Sequence, residues 1–144
     1  MSTTLIHPQA LDLGLLLLRV TLGAIFFAHG AQKVLGWYGG YGLKGTSGFF
    51  KQAMGIPVPL SYLAAFTEFV GGIAVILGAF TQIAAMGLAV TMLVAVLKVH
   101  GKNGFWMNWS SMANKGEGYE YNLALFAMAL LLILAGPGRF AMMQ

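Results

Sequence analysis

The segment LDLGLLLLRVTLGAIFFAHGAQKVLG, residues Leu11–Gly36, decides how the rest of this chain must fold. It is longer than the ~20 apolar residues that an α-helix needs to cross the hydrocarbon of a bilayer. The same segment carries Asp12, Arg19, His29 and Lys33, and the helical period brings all four onto one arc of about 100°. An ionisable group near the bilayer centre costs at least ~2.5 kcal/mol unless it faces protein, water or a partner charge. The segment therefore predicts a membrane-spanning helix whose polar face packs against other helices.

The composition of the whole chain indicates a membrane protein. The 144 residues are 58% hydrophobic and 8% charged, against about 25% charged residues in soluble domains. The eight Lys and Arg residues are not clustered, so we expect no nucleic-acid binding. The chain has no cysteine, which excludes disulfides and thiolate-held iron–sulfur clusters. A redox role would thus need a bound cofactor or a partner.

Three further apolar segments follow the first. We predict spans over residues 11–36, 60–80, 83–99 and 121–135 in a single four-span domain covering residues 1–144. The N-terminal residues lack a basic region, so we interpret the first span as retained and not as a cleaved signal. The predicted fold is all-α: an integral membrane four-helix bundle with two long connections on one side, surrounded by the lipid bilayer.

The two long connections differ in character. In the first, WYGGYGLKGTSGFFKQAMGIPVP, Thr46 or Ser47 would cap a short amphipathic helix that ends at Gly55. The second, HGKNGFWMNWSSMANKGEGYEY, is polar and aromatic, and its tryptophans suit a membrane interface. Between the second and third spans we expect a tight turn at Thr81 and Gln82. Most of the basic residues lie on the connection side, namely Lys33, Lys44, Lys51, Lys98, Lys102 and Lys115. The positive-inside rule therefore predicts cytoplasmic connections and external termini.

The polar residues of different spans converge near the connections. The rise per residue puts His29 and Glu68 at similar depth, roughly 10 to 12 Å below that surface. The candidate ligand-binding set is His29, Gln32, Lys33, Glu68, His100 and Glu120. An imidazole or ammonium donor at this depth can hydrogen-bond a carbonyl oxygen of a bound ligand.

Other roles for these side chains are possible from the sequence. Arg19 and Glu68 could form a structural ion pair inside the bundle, or Glu68 could exchange protons. The set contains metal-ligand types, but it has no compact spacing, so we expect no metal site. Two isolated histidines, His29 and His100, are weak evidence for haem, which we do not expect.

An ordered series of short motifs resembles the DoxX family of small bacterial membrane proteins. These are LLR at 17–19 with Gly23, HGAQK at 29–33, MGIPVP at 54–59, Glu68 with GG at 71–72, His100 with GF at 104–105, GYEY at 118–121 and GPG at 136–138. The series runs from about Leu11 to Arg139. The chain departs from a common family ending, because Phe140 and Ala141 stand where a serine and an aspartate often follow GPGR.

The resemblance implies a four-span protein of the bacterial inner membrane. Members include the membrane subunit of a thiosulfate:quinone oxidoreductase and a polypeptide associated with a terminal quinol oxidase. The leading hypothesis is therefore a quinone-interacting membrane subunit of a respiratory or sulfur-compound oxidoreductase system, with no covalently bound cofactor. Two alternatives remain: a non-catalytic accessory or assembly subunit of a larger complex, and a small-solute or proton pathway. Either a partner subunit or a homo-oligomer is expected, and whether this chain catalyses a reaction stays open.

Overall fold

The computed structural model describes residues 7–143, and these form helices and connections without a strand. The helices are α1 (Pro8–Val34), α2 (Gly42–Met54), α3 (Val58–Leu77), α4 (Thr81–Ala95) and α5 (Glu120–Ala135). A π-helical turn (Val96–His100) and a 3-10 turn (Gly101–Asn103) prolong α4. The all-α bundle expected from the sequence is confirmed.

The helices α1, α3, α4 and α5 run alternately up and down. On α1, Gly23 lies against Gly72 and Ile76 while Gly30 lies against Phe69, so α1 and α3 are antiparallel. Gln82 and Ile133 join the start of α4 to the end of α5. One end of the bundle therefore gathers the start of α1, the α3–α4 turn and the residues after α5. We call this the termini end, and we call the opposite end, with both long connections, the connection end.

The lengths of the helices suit a bilayer. Three helical segments of the described chain are long and apolar enough to cross a membrane: Pro8–Val34, Val58–Leu77 and Thr81–Asn103. The fourth apolar helix, Glu120–Ala135, has 16 residues, which at about 1.5 Å per residue is short for a full crossing. The outward faces carry large apolar side chains such as Leu17, Val70 and Leu134, as expected for surfaces in contact with lipid.

Glycines set the distance between α1 and α3. A Cβ on Gly30 would lie 2.4 Å from Cα of Phe69, and a Cβ on Gly72 would lie 2.5 Å from the backbone N of Phe27. Phe27 and Phe69 then stack with ring centroids 5.4 Å apart. Small residues at such positions allow two backbones in a membrane to approach closely. This contact fixes how far α3 is displaced along α1, and so which polar side chains meet.

Two local predictions need correction. The helix α2 begins at Gly42, so Thr46 and Ser47 lie within it and do not cap it; both are buried, and Thr46 Oγ1 donates to the Lys33 carbonyl at 3.4 Å. The predicted end at Gly55 is confirmed, with φ of 66°. The α3–α4 turn lies at residues 78–80, before Thr81, because Gly78 at φ 73° ends α3 with a left-handed cap.

Candidate ligand-binding cleft

An ion pair between α1 and α3 lies at the centre of the candidate site. Lys33 Nζ, in the last turn of α1, donates to Glu68 Oε2 near the middle of α3. The side chain of Glu68 is 8% exposed and that of Lys33 is 22% exposed. A carboxylate in so little contact with solvent requires a compensating charge, and Lys33 supplies it.

The ion pair predicted between Arg19 and Glu68 does not form, because the two residues lie at different depths. Arg19 Nη1 lies beside Gly78, which is ten residues from Glu68, or about 15 Å along the helix axis. Arg19 Nη2 instead donates to the Phe140 carbonyl at 2.6 Å. Lys33 lies on the same face of α1 but closer to the connection end, at the level of Glu68. The axial position of α3, set by its glycine contacts, thus decides which cation Glu68 meets.

A large cleft opens beside the ion pair. It has a volume of about 880 Å³ and is lined largely by apolar residues of α1, α3, α4 and α5. Its polar groups include His29, Lys33, Glu68, His100 and Asn122. We call it the main cleft. Ligand pockets in proteins are commonly ~300 to 1,000 Å³ and apolar with a few polar groups that orient the ligand, and the main cleft has both properties.

A smaller cleft lies on the other side of His29 and Lys33. It has a volume of about 250 Å³ and includes residues of the first connection, Gly39, Gly40 and Tyr41. We call it the vestibule. His29, Lys33 and Phe50 line both clefts, so these side chains form the partition between them. Gln32 lines the vestibule but not the main cleft, and its Nε2 donates to the Tyr38 carbonyl at 3.3 Å.

The end of α4 brings His100 to the main cleft. The π-helical turn Val96–His100 widens the helix there, and Lys98 and His100 both line the cleft. Single π turns in α-helices are frequent at functional sites. His100 Nδ1 lies 2.9 Å from the Glu117 carbonyl oxygen. This contact orients the imidazole, so that His100 is attached to the second connection as well as to α4.

Glu120, which the sequence placed in the ligand-binding set, lies outside the main cleft. Its Oε1 accepts hydrogen bonds from the Met107 backbone N at 3.2 Å and from Trp109 Nε1 at 3.1 Å. The backbone N of Glu120 also donates to the Phe105 carbonyl at 2.9 Å. Glu120 therefore holds the second connection against the start of α5. Its geometry is that of a structural residue.

Several polar residues of the main cleft are not among the candidates that the sequence indicated. Thr67, Thr91, Glu117 and Asn122 line it, and Asn122 is buried with Nδ2 3.6 Å from Met92 Sδ. Asn122 could have been found from the sequence, since it is a polar amide at the start of an apolar helix. The threonines could not, because a hydroxyl within a span often bonds its own helix, as Thr91 Oγ1 does with the Leu88 carbonyl at 2.7 Å.

The site residues do not form a metal centre. Within residues 7–143, no group of three or more His, Cys, Asp or Glu side chains is arranged to hold a metal ion. His29 and Glu68 are near Lys33, whose ammonium group competes with a cation for the carboxylate.

Comparisons with known proteins agree with this architecture. The DoxX family model matches residues 14–101, more than half of the chain. The chain belongs to the DoxX family. The matched region begins at Gly14 within α1 and includes α2, α3, α4 and the π-helical turn to His100, and with them the Lys33–Glu68 pair.

Two curated DoxX-like relatives are similar over much of their length. One is named "Putative oxidoreductase CatD", from Bacillus subtilis (strain 168), and is 36% identical over 100 residues, which cover 69% of each chain. The other is "Inner membrane protein YqjF" from Escherichia coli (strain K12), 30% identical over 131 residues, which cover 90% of this chain and 89% of the relative. No solved structure matches this DoxX protein.

Proposed function

We propose that this DoxX protein binds a quinone, or a similar aromatic ligand with hydrogen-bonding oxygens, in the main cleft, as a subunit of an inner-membrane oxidoreductase system. The name of the Bacillus relative supports the link to oxidoreductases, and the name of the Escherichia relative supports the inner membrane. The observation that carries the proposal is the main cleft itself: a largely apolar cavity with the Lys33–Glu68 pair and His29 at one side.

The chemistry of the polar groups fits a quinone. A quinone presents two carbonyl oxygens on a flat apolar ring, so it needs hydrogen-bond donors inside an apolar cavity. His29 and Lys33 supply N–H donors, and a donor or cation near a carbonyl oxygen stabilises negative charge that develops there during reduction. The chain has no cysteine, so the electrons would be exchanged between the ligand and a redox cofactor held by a partner subunit. This chain would bind and orient the ligand.

Ligand binding to the purified protein in lipid nanodiscs tests the proposal. The probe is a dimethoxy-methyl-benzoquinone ring without a side chain, and its binding is followed by calorimetry. We expect saturable binding with one site, weakened about tenfold or more by His29→Ala, as for loss of one hydrogen bond to a polar ligand. Lys51→Ala, on the exposed part of α2, should bind like the wild type. Non-saturable uptake by wild type and variant alike would refute the proposal and favour an accessory subunit without a ligand.

We further propose that the connection end faces the cytoplasm, as the distribution of lysines suggests. The absence of natural cysteines makes this simple to examine. Ser110→Cys, in the exposed second connection, should react with a membrane-impermeant thiol reagent in inverted inner-membrane vesicles but not in intact spheroplasts. The reverse pattern would show the opposite orientation.

A further inference from the structure

One opening of the main cleft lies between α3 and α4. From the α3–α4 turn as far as the middle of α3 the two helices are in contact: a Cβ on Gly71 would lie 3.2 Å from Leu88 Cδ2, and a Cβ on Gly87 would lie 2.8 Å from Thr67 Cγ2. Towards the connection end both helices line the cleft. There Leu63 on α3 is 63% exposed and Val90 on α4 is 57% exposed. Residues that line a cavity and are also exposed mark its rim, so the cleft is open between these two helices. Lys98 and Glu117, which are also lining and exposed, mark a polar stretch of the rim at the connection end.

The rim of the opening between α3 and α4 is apolar. Its exposed members are Leu60, Leu63, Met86, Val90 and Val94. All of them lie in helices long and apolar enough to cross the bilayer. An opening with such a rim faces acyl chains, whereas the vestibule, with its backbone-rich loop and Tyr41, is adjacent to the connection end. The polar groups at the Lys33–Glu68 pair can therefore be reached from the hydrocarbon.

The size of the main cleft exceeds what one aromatic ring requires. Its 880 Å³ is near the upper end of the ~300 to 1,000 Å³ found for cavities that enclose drug-sized ligands. The cavity is continuous from Lys33 and Glu68 to Leu63 and Val90. One molecule that matches both ends has a hydrogen-bonding ring and a linear apolar chain.

We propose that the ligand of the main cleft carries a long apolar chain, enters sideways from the bilayer between α3 and α4, and keeps this chain at the α3–α4 rim while its ring lies near His29 and Lys33. This inference rests on the proposed function and adds the substrate class, a membrane-resident amphiphile. Because lipid is as apolar as the rim, moving the chain from bilayer to cleft gains little affinity. The opening thus selects the route and the orientation of the ligand.

A matched pair of valines tests the position of the opening. Val90 lies on the rim and is 57% exposed, and Val70 lies on the lipid-facing side of α3 outside the cleft and is 56% exposed. The probes are the dimethoxy-methyl-benzoquinone ring with a decyl chain and the same ring without it. We expect Val90→Trp to weaken the decyl form about tenfold, by overfilling the rim, and to leave the bare ring within about twofold. Val70→Trp should change neither.

Photolabelling gives a measurement that does not depend on the variants. A decyl quinone with a diazirine at the tip of its chain is irradiated with the wild-type protein in nanodiscs, and labelled peptides are identified by mass spectrometry. We expect labels on Leu60–Leu63 and on residues 90–94 that excess unlabelled decyl quinone removes. The same diazirine on a decyl chain without a ring should give labels that this competitor does not remove.

The outcomes separate this inference from the proposed function. If neither quinone binds the wild type, the proposed function fails and the inference with it. If both quinones bind but Val90→Trp affects them equally or not at all, the lateral route is wrong while quinone binding stands. The same conclusion follows if the labels that the competitor removes lie on α2 or in the vestibule. If added phospholipid removes the labels at the rim and unlabelled decyl quinone does not, the occupant is a bilayer phospholipid, and this result would also overturn the inference.

Discussion

Lys33 and Glu68 join α1 to α3 at the partition between the two clefts, and each of them is the other's charge partner among the described residues. The pair has two consequences. It lets a carboxylate lie in a bundle whose other lining is mostly apolar, and it holds an ammonium group at the edge of the main cleft. The structural role of the pair and the ligand-binding role that we propose therefore fall on the same two side chains, and stability measurements separate them.

Removing the ammonium group of this pair should destabilise the protein. We expect Lys33→Met to lower the free energy of unfolding by about 2 to 4 kcal/mol, below the ~3 to 5 kcal/mol of a fully buried pair because Lys33 retains 22% exposure. The double variant Lys33→Met with Glu68→Leu should recover most of this loss, since no unpaired charge remains. Unfolding in mixed micelles with increasing SDS measures both. Lys51→Met, at an exposed position, is the control and should stay within about 0.5 kcal/mol; an equally large loss there would contradict the assignment.

The glycine contact between α1 and α3 predicts opposite effects of the same substitution at two places on α1. Gly30→Ala would bring a Cβ within 2.3 Å of the Phe69 backbone N, whereas Gly14 has no atom within 4 Å of its Cβ position. We expect Gly30→Ala to cost about 1 to 3 kcal/mol by overpacking. Gly14→Ala should gain about 0.5 to 1 kcal/mol from helix propensity. The same SDS titration compares them, and a harmless Gly30→Ala would mean that the helices are not in close contact.

Arg19 links the bundle to the residues after α5. Its side chain is fully buried; Nη2 donates to the Phe140 carbonyl, and Nε and Nη1 have no hydrogen-bond partner within residues 7–143. Arg19→Met keeps the apolar stem of the side chain but removes the guanidinium group and with it this donor. We expect little loss of global stability, because removal of a buried cation with unpartnered donors offsets the volume that the shorter methionine leaves empty, but faster proteolysis at residues 139–143. Leu17→Met, on the exposed face of α1, is the control. Unchanged proteolysis of Arg19→Met would show that this bond does not hold the segment.

Glu120 should affect the second connection and not the ligand. Its Oε1 accepts from Met107 and Trp109, so Glu120→Leu removes two hydrogen bonds, each worth about 1 kcal/mol or somewhat more with a charged acceptor. With Trp37 and Trp106 replaced by phenylalanine, the fluorescence anisotropy of Trp109, which is 80% exposed, should fall in Glu120→Leu and less in Glu120→Gln, which keeps an acceptor oxygen. Quinone affinity should be unchanged in both. A loss of quinone affinity with unchanged anisotropy would instead place Glu120 in the binding site.

The sequence predicted the helices better than the contacts between them. The apolar segments, the Gly55 cap and the stop at Gly136 depend on nearby residues, and the observed helices end within a few residues of the predicted bounds. His29, Lys33, Glu68 and His100 do line one cavity, because depth along a helix follows from counting residues. The start of α2 and the position of the α3–α4 turn were wrong, since several small or polar residues in each connection could serve as a cap.

The sequence by itself determined that this chain forms apolar helices with one polar arc on the first of them, because helix period and bilayer thickness act on local patterns. Only the tertiary structure decided that Glu68 pairs with Lys33 and not with Arg19, and that the main cleft opens between α3 and α4. Both depend on how far one helix is displaced along its neighbour. The contacts of Gly30 with Phe69 and of Gly72 with Phe27 set that displacement, and it involves residues about 40 positions apart in the chain, which no local pattern relates.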